Sequence, residues 1–126
     1  TNISKMLIEK YLGELYELIK CNKYIISLNR EKNKEFIEEY HISKIKRKEI
    51  LLSVKLEDFC YAEDNNKMNG EVLYVFCKEY KLDHWGTIEN KKIYIKINKI
   101  VTKNIENYAI IISFHEAEKE VKYLFK

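Results

Sequence analysis

The chain has 126 residues, of which 46% are hydrophobic and 34% charged, a balance that excludes a disordered tail and gives one ordinary core over residues 1–126. Its 23 Lys and Arg against 20 Asp and Glu leave a formal charge of +3, which permits a nucleic-acid partner without identifying one. No apolar run approaches the ~20 residues that cross a bilayer and no signal-peptide plan opens the chain, so no membrane partner is expected.

The first half reads as helices. From Met6 to Lys20 the apolar residues Leu7, Ile8, Tyr11, Leu12, Leu15, Leu18 and Ile19 make one amphipathic stripe. A short extended piece, "KYIISLN", leads to a second helix from about Glu31 to Tyr40, capped by Asn29, with Phe36, Ile37 and Tyr40 inward. Ser43 is a good cap for a third, whose inward residues are Ile45, Leu51, Leu52 and Val54. "LEDFCYAED" continues as a further helical turn or two, and "DNNKMNG" is a polar loop ending in a turn glycine.

Beyond Gly70 the period changes. "EVLYVFCKEY", "KKIYIKIN" and "NYAIIISFH" are rich in β-branched and aromatic residues, with "VKYLF" a short fourth strand. The expected fold is therefore α+β, with N-terminal helices on one face of a C-terminal antiparallel sheet of three to four strands. The links "KLDHWGTIEN" and "TKNIEN" suit antiparallel hairpins.

Alternation then sorts the strands into faces. Ile93, Ile95 and Ile97 pack inward, turning Tyr94 and Lys96 outward. Tyr108, Ile110, Ile112 and Phe114 form the larger apolar row, leaving Ala109, Ile111, Ser113 and His115 opposite. Leu73, Val75 and Cys77 pack inward most easily, which turns Tyr74, Phe76 and Lys78 outward. One open surface then collects Tyr74, Lys78, Tyr94, Lys96, Ser113 and His115 with no carboxylate. Such a set suits an anion: lysines meet phosphate, tyrosines stack on bases, and imidazole titrates near neutrality. In metal-free RNA cleavage His115 serves as base or acid, Lys96 stabilises charge, and Tyr94 or Ser113 positions or donates a proton.

Plainer alternatives attend each residue. A lone strand-end His is more often structural, and a Lys in an alternating strand is more often the solvated half of the pattern. "KIKRK", Lys44 to Lys48, is read as an exposed helix side that also suits phosphate contact. Cys21, Cys60 and Cys77 lack CxxC spacing and read as small hydrophobes in a reducing cytoplasm. His41, His84 and His115 lack metal-ligand spacing, and no GxSxG, HExxH, P-loop or GxGxxG occurs, so neither a metal nor a cofactor is expected. The start at Thr1 leaves open an excised initiator Met or a longer upstream chain.

Five segments recur in a familiar order: "NREKN" at Asn29–Asn33, "KEILLSVKLEDF" at Lys48–Phe59, "LYVFCK" at Leu73–Lys78, "IYIKI" at Ile93–Ile97 and "ISFHEAE" at Ile112–Glu118. Together, over roughly residues 20–126, they resemble the MqsR family of toxins from bacterial type II toxin–antitoxin modules, in the branch with a Ser-Phe-His strand. The resemblance implies a RelE-like fold, a bacterial cytoplasmic location, metal-independent mRNA cleavage and a cognate antitoxin. It places Lys96, Tyr94, Ser113 and His115 on the active face and adds Arg30 and Lys32 as RNA contacts beside Lys78 and Tyr74. Two alternatives stay open: a non-catalytic RNA- or protein-binding module, and the C-terminal nuclease domain of a larger secreted polymorphic toxin.

Overall fold

Helix α1 (Lys5–Lys20) forms where the stripe predicts. Ser4 caps it, its hydroxyl accepting from the Leu7 amide at 3.1 Å, and Ile8, Tyr11, Leu12, Leu15 and Ile19 are its buried line. The computed structural model describes residues 3–64, 71–101 and 107–126. Past the Cys21 C-cap, Asn22 adopts φ 59°, and the amides of Asn22 and Lys23 reach back to the carbonyls of Ile19 and Leu18 at 3.0 and 2.8 Å. That pair of bonds ends the helix and turns the chain into β1 (Tyr24–Ile26).

α2 (Glu31–Glu39) and α3 (Lys44–Leu52) follow at the expected places. Ser43 caps α3, accepting from the Lys46 amide at 3.1 Å. The cap of α2 is Arg30 rather than Asn29, without a side-chain bond. Phe36, Ile37, Tyr40, Leu51 and Val54 are buried as expected, but Ile45 is 75% exposed because it sits in the first turn of α3, off the line of Ile50 and Leu51.

"LEDFCYAED" is not helical beyond one 3-10 turn, Leu56–Asp58; Phe59–Asp64 is strand β2. β3 (Val72–His84) and β4 (Thr87–Val101) run longer than the sequence suggests. Most of "KLDHWGTIEN" is therefore strand, joined by a tight turn at Trp85 (φ 56°) and Gly86 (φ 90°). Positive φ at both central residues is what a two-residue hairpin with native twist demands, and glycine supplies the second at no steric cost. β5 (Asn107–Glu116) completes a five-stranded sheet in the order β1-β5-β4-β3-β2. The β3-β4-β5 meander is antiparallel as expected; β1 joins parallel to β5, which makes the sheet mixed. The polar loop and most of "TKNIEN" lie outside the described residues.

The three helices cover one face. Leu15, Ile19, Ile50, Leu51, Phe59, Phe76, Ile95 and Phe114 are buried in a single cluster there. Each Leu, Ile or Phe so buried stabilises by ~1.5–3 kcal/mol. "VKYLF" is no strand: after β5 the chain crosses the opposite face as an irregular strap. Ala117, Val121 and Tyr123 of this strap, together with Tyr94, pack on Cys60, Val75 and Cys77. The Leu124 amide then donates to the Phe59 carbonyl at 3.1 Å, and Phe125 stacks on Phe59 with centroids 5.8 Å apart.

Two facing assignments change. Phe76 pairs with Ile95, Tyr74 with Ile97 and Lys78 with Ile93, so these β3 residues face the helices, while Val75 and Cys77 lie under the strap. In β5 the register slips: Ser113 opposes Lys96 but Ile111 opposes Ile97, leaving Ile112 as an extra residue. Before this bulge Ala109 and Ile111 are the fully buried residues; after it Phe114 is buried and Ser113 and His115 turn to the strap side.

Candidate active site

The cleft between the strap and strands β4 and β5 takes up about 460 Å³. Tyr94, Lys96, Ser113 and His115 all line it, because Tyr94 opposes His115 and Lys96 opposes Ser113 in the ladder. Pleating alone delivers the four side chains to one face once the bulge has set the phase.

His115 is held by two contacts. Its ring stacks on Tyr94 with centroids 5.5 Å apart and planes 23° from parallel. Its Nδ1 lies 2.9 Å from the Glu116 carbonyl oxygen. A carbonyl only accepts, so the neutral ring carries its proton on Nδ1 and presents the Nε2 lone pair. That is the tautomer a general base requires.

The bulge beneath it is fixed by Asn33, fully buried in α2. The Asn33 Nδ2 donates to the carbonyls of Ser27 and Ile112, both at 2.9 Å, and its Oδ1 accepts from the Phe114 amide at 2.8 Å. β1 ends at Ile26 opposite Ile111; the Asn33 carboxamide then takes the place of the next peptide group, bonding residues 112 and 114 across Ser113 as a parallel strand would. Sequence inspection had no means to find this residue, since a single Asn in a polar helix carries no mark of burial.

Two further groups were missed because β2 was read as helix. The Tyr61 hydroxyl shares a hydrogen bond of 2.6 Å with the Tyr94 hydroxyl. Burial, followed by that bond, pushes the Tyr61 phenol up to about 12, and burial likewise raises Tyr94. Both therefore stay protonated at neutral pH and can donate. Glu63 binds Lys96, with 2.7 Å between Oε1 and Nζ, so the expectation of a patch without carboxylates is wrong. The strap adds Glu118, Lys119, Glu120 and Lys122 to the cleft wall. The alternation of aromatic and small residues in "FCYAED" was the available signal for β2.

Other expected members stand apart. Tyr74 packs against Tyr11 with centroids 4.3 Å apart, and Lys78 pairs with Asp58 at 3.4 Å on the helix side. Neither reaches the cleft, because β3 turns its opposite edge of the pleat toward the strap. Arg30 is exposed at the start of α2 and does not line the cleft. Lys32 touches it indirectly, pairing at 2.6 Å with Glu118, whose carboxyl it holds below the usual range. Cys60 and Cys77 are buried and their thiols raised by burial, Cys60 to about 12, so both behave as small hydrophobes; Cys21 is exposed. Among the described residues no group of three or more His, Cys, Asp or Glu is arranged to hold a metal, and no helix is long and apolar enough to cross a membrane.

Comparison with protein-family models, with curated proteins and with solved structures returns no match to this chain.

Proposed function

We propose that this protein is an endoribonuclease that cleaves mRNA by attack of a ribose 2′-hydroxyl on the adjacent phosphate, and that it acts as the toxin of a type II toxin–antitoxin module with a RelE-like fold. The observation that carries the proposal is the meeting of His115, Tyr94, Lys96 and Ser113 in one solvent cleft. The ordered segments that resemble the MqsR family supply the toxin context and the antitoxin partner.

In this reading the His115 Nε2 takes the proton of the 2′-hydroxyl as its oxygen bonds to phosphorus. The P–O5′ bond breaks, and the departing oxygen receives a proton from the Tyr94 phenol, kept neutral by its raised pKa. The products are a 2′,3′-cyclic phosphate and a 5′-hydroxyl end, and no outside reagent is consumed. Lys96 stands beside the accumulating charge on the non-bridging oxygens, and the Ser113 hydroxyl positions the phosphate. The strap's Lys119 and Lys122 add two more cations to the cleft wall, alongside Glu118 and Glu120.

The Lys96–Glu63 pair favours one other reading. A lysine already bound to a carboxylate at 2.7 Å is partly neutralised, as it would be in a non-catalytic RNA-binding module. Two variants separate the readings. Lys96→Ala is expected to lower cleavage of a short RNA ~100-fold, the usual scale for removing such a group. Glu63→Gln is expected to raise RNA affinity a few-fold by freeing the amine. Wild-type protein that binds RNA yet leaves no cyclic-phosphate ends on it, and whose expression neither arrests growth nor depletes transcripts, overturns the nuclease in favour of the module.

A further inference from the structure

A second cavity, of about 490 Å³, opens where the edge strand β1 meets α3. Asn22, Tyr24, Lys44, Ile45, Arg47 and Lys48 line it, three of them cationic and none acidic. It is separate from the cleft described above, sharing no residue with it.

What sets this cavity apart is that three cations line it and no carboxylate does. Lys20, Lys32, Lys46, Lys78, Lys91 and Lys96 each end on a carboxylate. Among the described residues neither Lys44, Arg47 nor Lys48 has a carboxylate within ion-pair distance. Three neighbouring cations left without counter-charge repel one another, which a bound anion relieves.

Two of the three are also oriented. Arg47 donates from Nε to the Ile42 carbonyl at 2.9 Å, which fixes the guanidinium plane. The Lys48 ammonium donates to Asn22 Oδ1 at 3.0 Å, so the left-handed turn that ends α1 also anchors the groove. Tyr24 lies near enough to Arg47 for its hydroxyl to feel the guanidinium charge. The exposed Ile45 adds an apolar flank. Fixed cations beside an aromatic ring and an aliphatic flank match a nucleotide strand, with phosphate on the cations and base or ribose on the apolar side.

We infer that this groove is a second phosphodiester-binding site, which holds a single RNA strand away from the cleavage cleft through Lys44, Arg47 and Lys48. The identity of the ligand as RNA rests on the proposed function; the convergence of the cations does not.

The test uses the full chain and a single-stranded 2′-O-methyl RNA, which binds but lacks the attacking hydroxyl. Affinity is measured by fluorescence anisotropy across a salt series for wild type and for the triple variant Lys44→Gln/Arg47→Gln/Lys48→Gln. A control triple, Lys5→Gln/Lys10→Gln/Lys34→Gln, removes the same charge elsewhere. Circular dichroism confirms that all three are folded. For single strands each phosphate contact contributes about 0.7 to the slope of log K against log salt. The groove variant is expected to lose about 2 from that slope and to bind about 10- to 100-fold more weakly at 0.1 M salt, while the control stays within a few-fold. Should the groove variant unfold, the single variant Arg47→Gln is expected to lose about 0.7 of slope, and an unchanged slope overturns the site. Equal losses in both triples, an unchanged slope in the groove triple, or wild-type binding of inorganic phosphate without binding of the strand likewise overturn it. Failure of the nuclease reading looks different, because wild type then binds this RNA through the groove yet leaves unmodified RNA uncut.

Discussion

His84 and His115 both sit near the end of a long strand, and their surroundings could hardly differ more. His84 is gripped from both sides: Nδ1 meets Glu89 at 2.9 Å, Nε2 meets Glu39 at 3.3 Å, and its ring lies 5.0 Å from that of Tyr40. The network continues through Lys91, which pairs with Glu89 and Glu116 at 3.3 and 3.4 Å. His115 spends one nitrogen on a backbone carbonyl and turns the other to a cleft. A ring with both nitrogens committed ties α2 to the hairpin; a ring with one left over has chemistry to offer. The bond from His84 also holds the Glu89 carboxyl below its usual value of 4.5, with Lys91 helping. That contribution to stability is complete above the unfolded pKa and is lost as pH falls through the depressed folded one.

The sharpest way to break this contrast is to remove each ring. His115→Ala is expected to cut RNA cleavage ~100-fold or more with little loss of stability. His84→Ala is expected to leave cleavage within a few-fold and to cost about 1 kcal/mol or less in urea unfolding, as its pairs are partly exposed. If the two exchange behaviour, the site has been assigned to the wrong histidine.

Asn33→Ala comes next in size. It strands the Phe114 amide inside the protein and frees the half-buried carbonyls of Ile112 and Ser27, at a cost of about 1–3 kcal/mol for each buried group left unsatisfied. Urea midpoints measure that loss. Amide exchange should show protection falling first at Phe114, where the phase of Ser113 and His115 is set. Asn33→Asp should recover only part of the stability, because a carboxylate accepts from Phe114 but has nothing to donate to Ile112 or Ser27.

The smallest effect concerns Tyr61. Its folded-state pKa, raised from 10.0 to about 12, gives a contribution that is whole below pH 10 and is lost as pH rises toward 12. Thermal unfolding of wild type should therefore weaken across that alkaline window, and Tyr61→Phe should weaken less there. Equal slopes for the two proteins would show that burial at β2 does not act through this phenol.

Much of the architecture could be read along the chain, and the failures share a cause. The stripe of α1, the Ser43 cap, the isoleucine row of β4 and the β3-β4-β5 meander each rest on a local period or a single capping side chain. "VLYVFC" gave the wrong face because it is apolar on both sides: helices cover one, the strap the other, and a doubly buried strand loses the alternation that reports its orientation. "FCYAED" was misread for want of its partner β3. Half of β5 was inverted by the bulge at Ile112, which leaves no trace in composition.

Four of the side chains expected on one face still meet there, by an accident of position. Tyr94, Lys96, Ser113 and His115 lie on the far side of the bulge, where the inferred phase was right. Tyr61, Glu63 and Asn33 were invisible, because each acquires its role from a neighbour remote in the chain. By itself the sequence determined what depends on near neighbours: helix periods, one cap, the change from helical to strand spacing, and which side chains alternate along β4. Only the tertiary structure decided which face of each strand meets the helices, where the carboxamide of Asn33 shifts β5 by one residue, and how the C-terminal strap closes over the other face. These are long-range pairings, and their free energy exists only once distant segments meet.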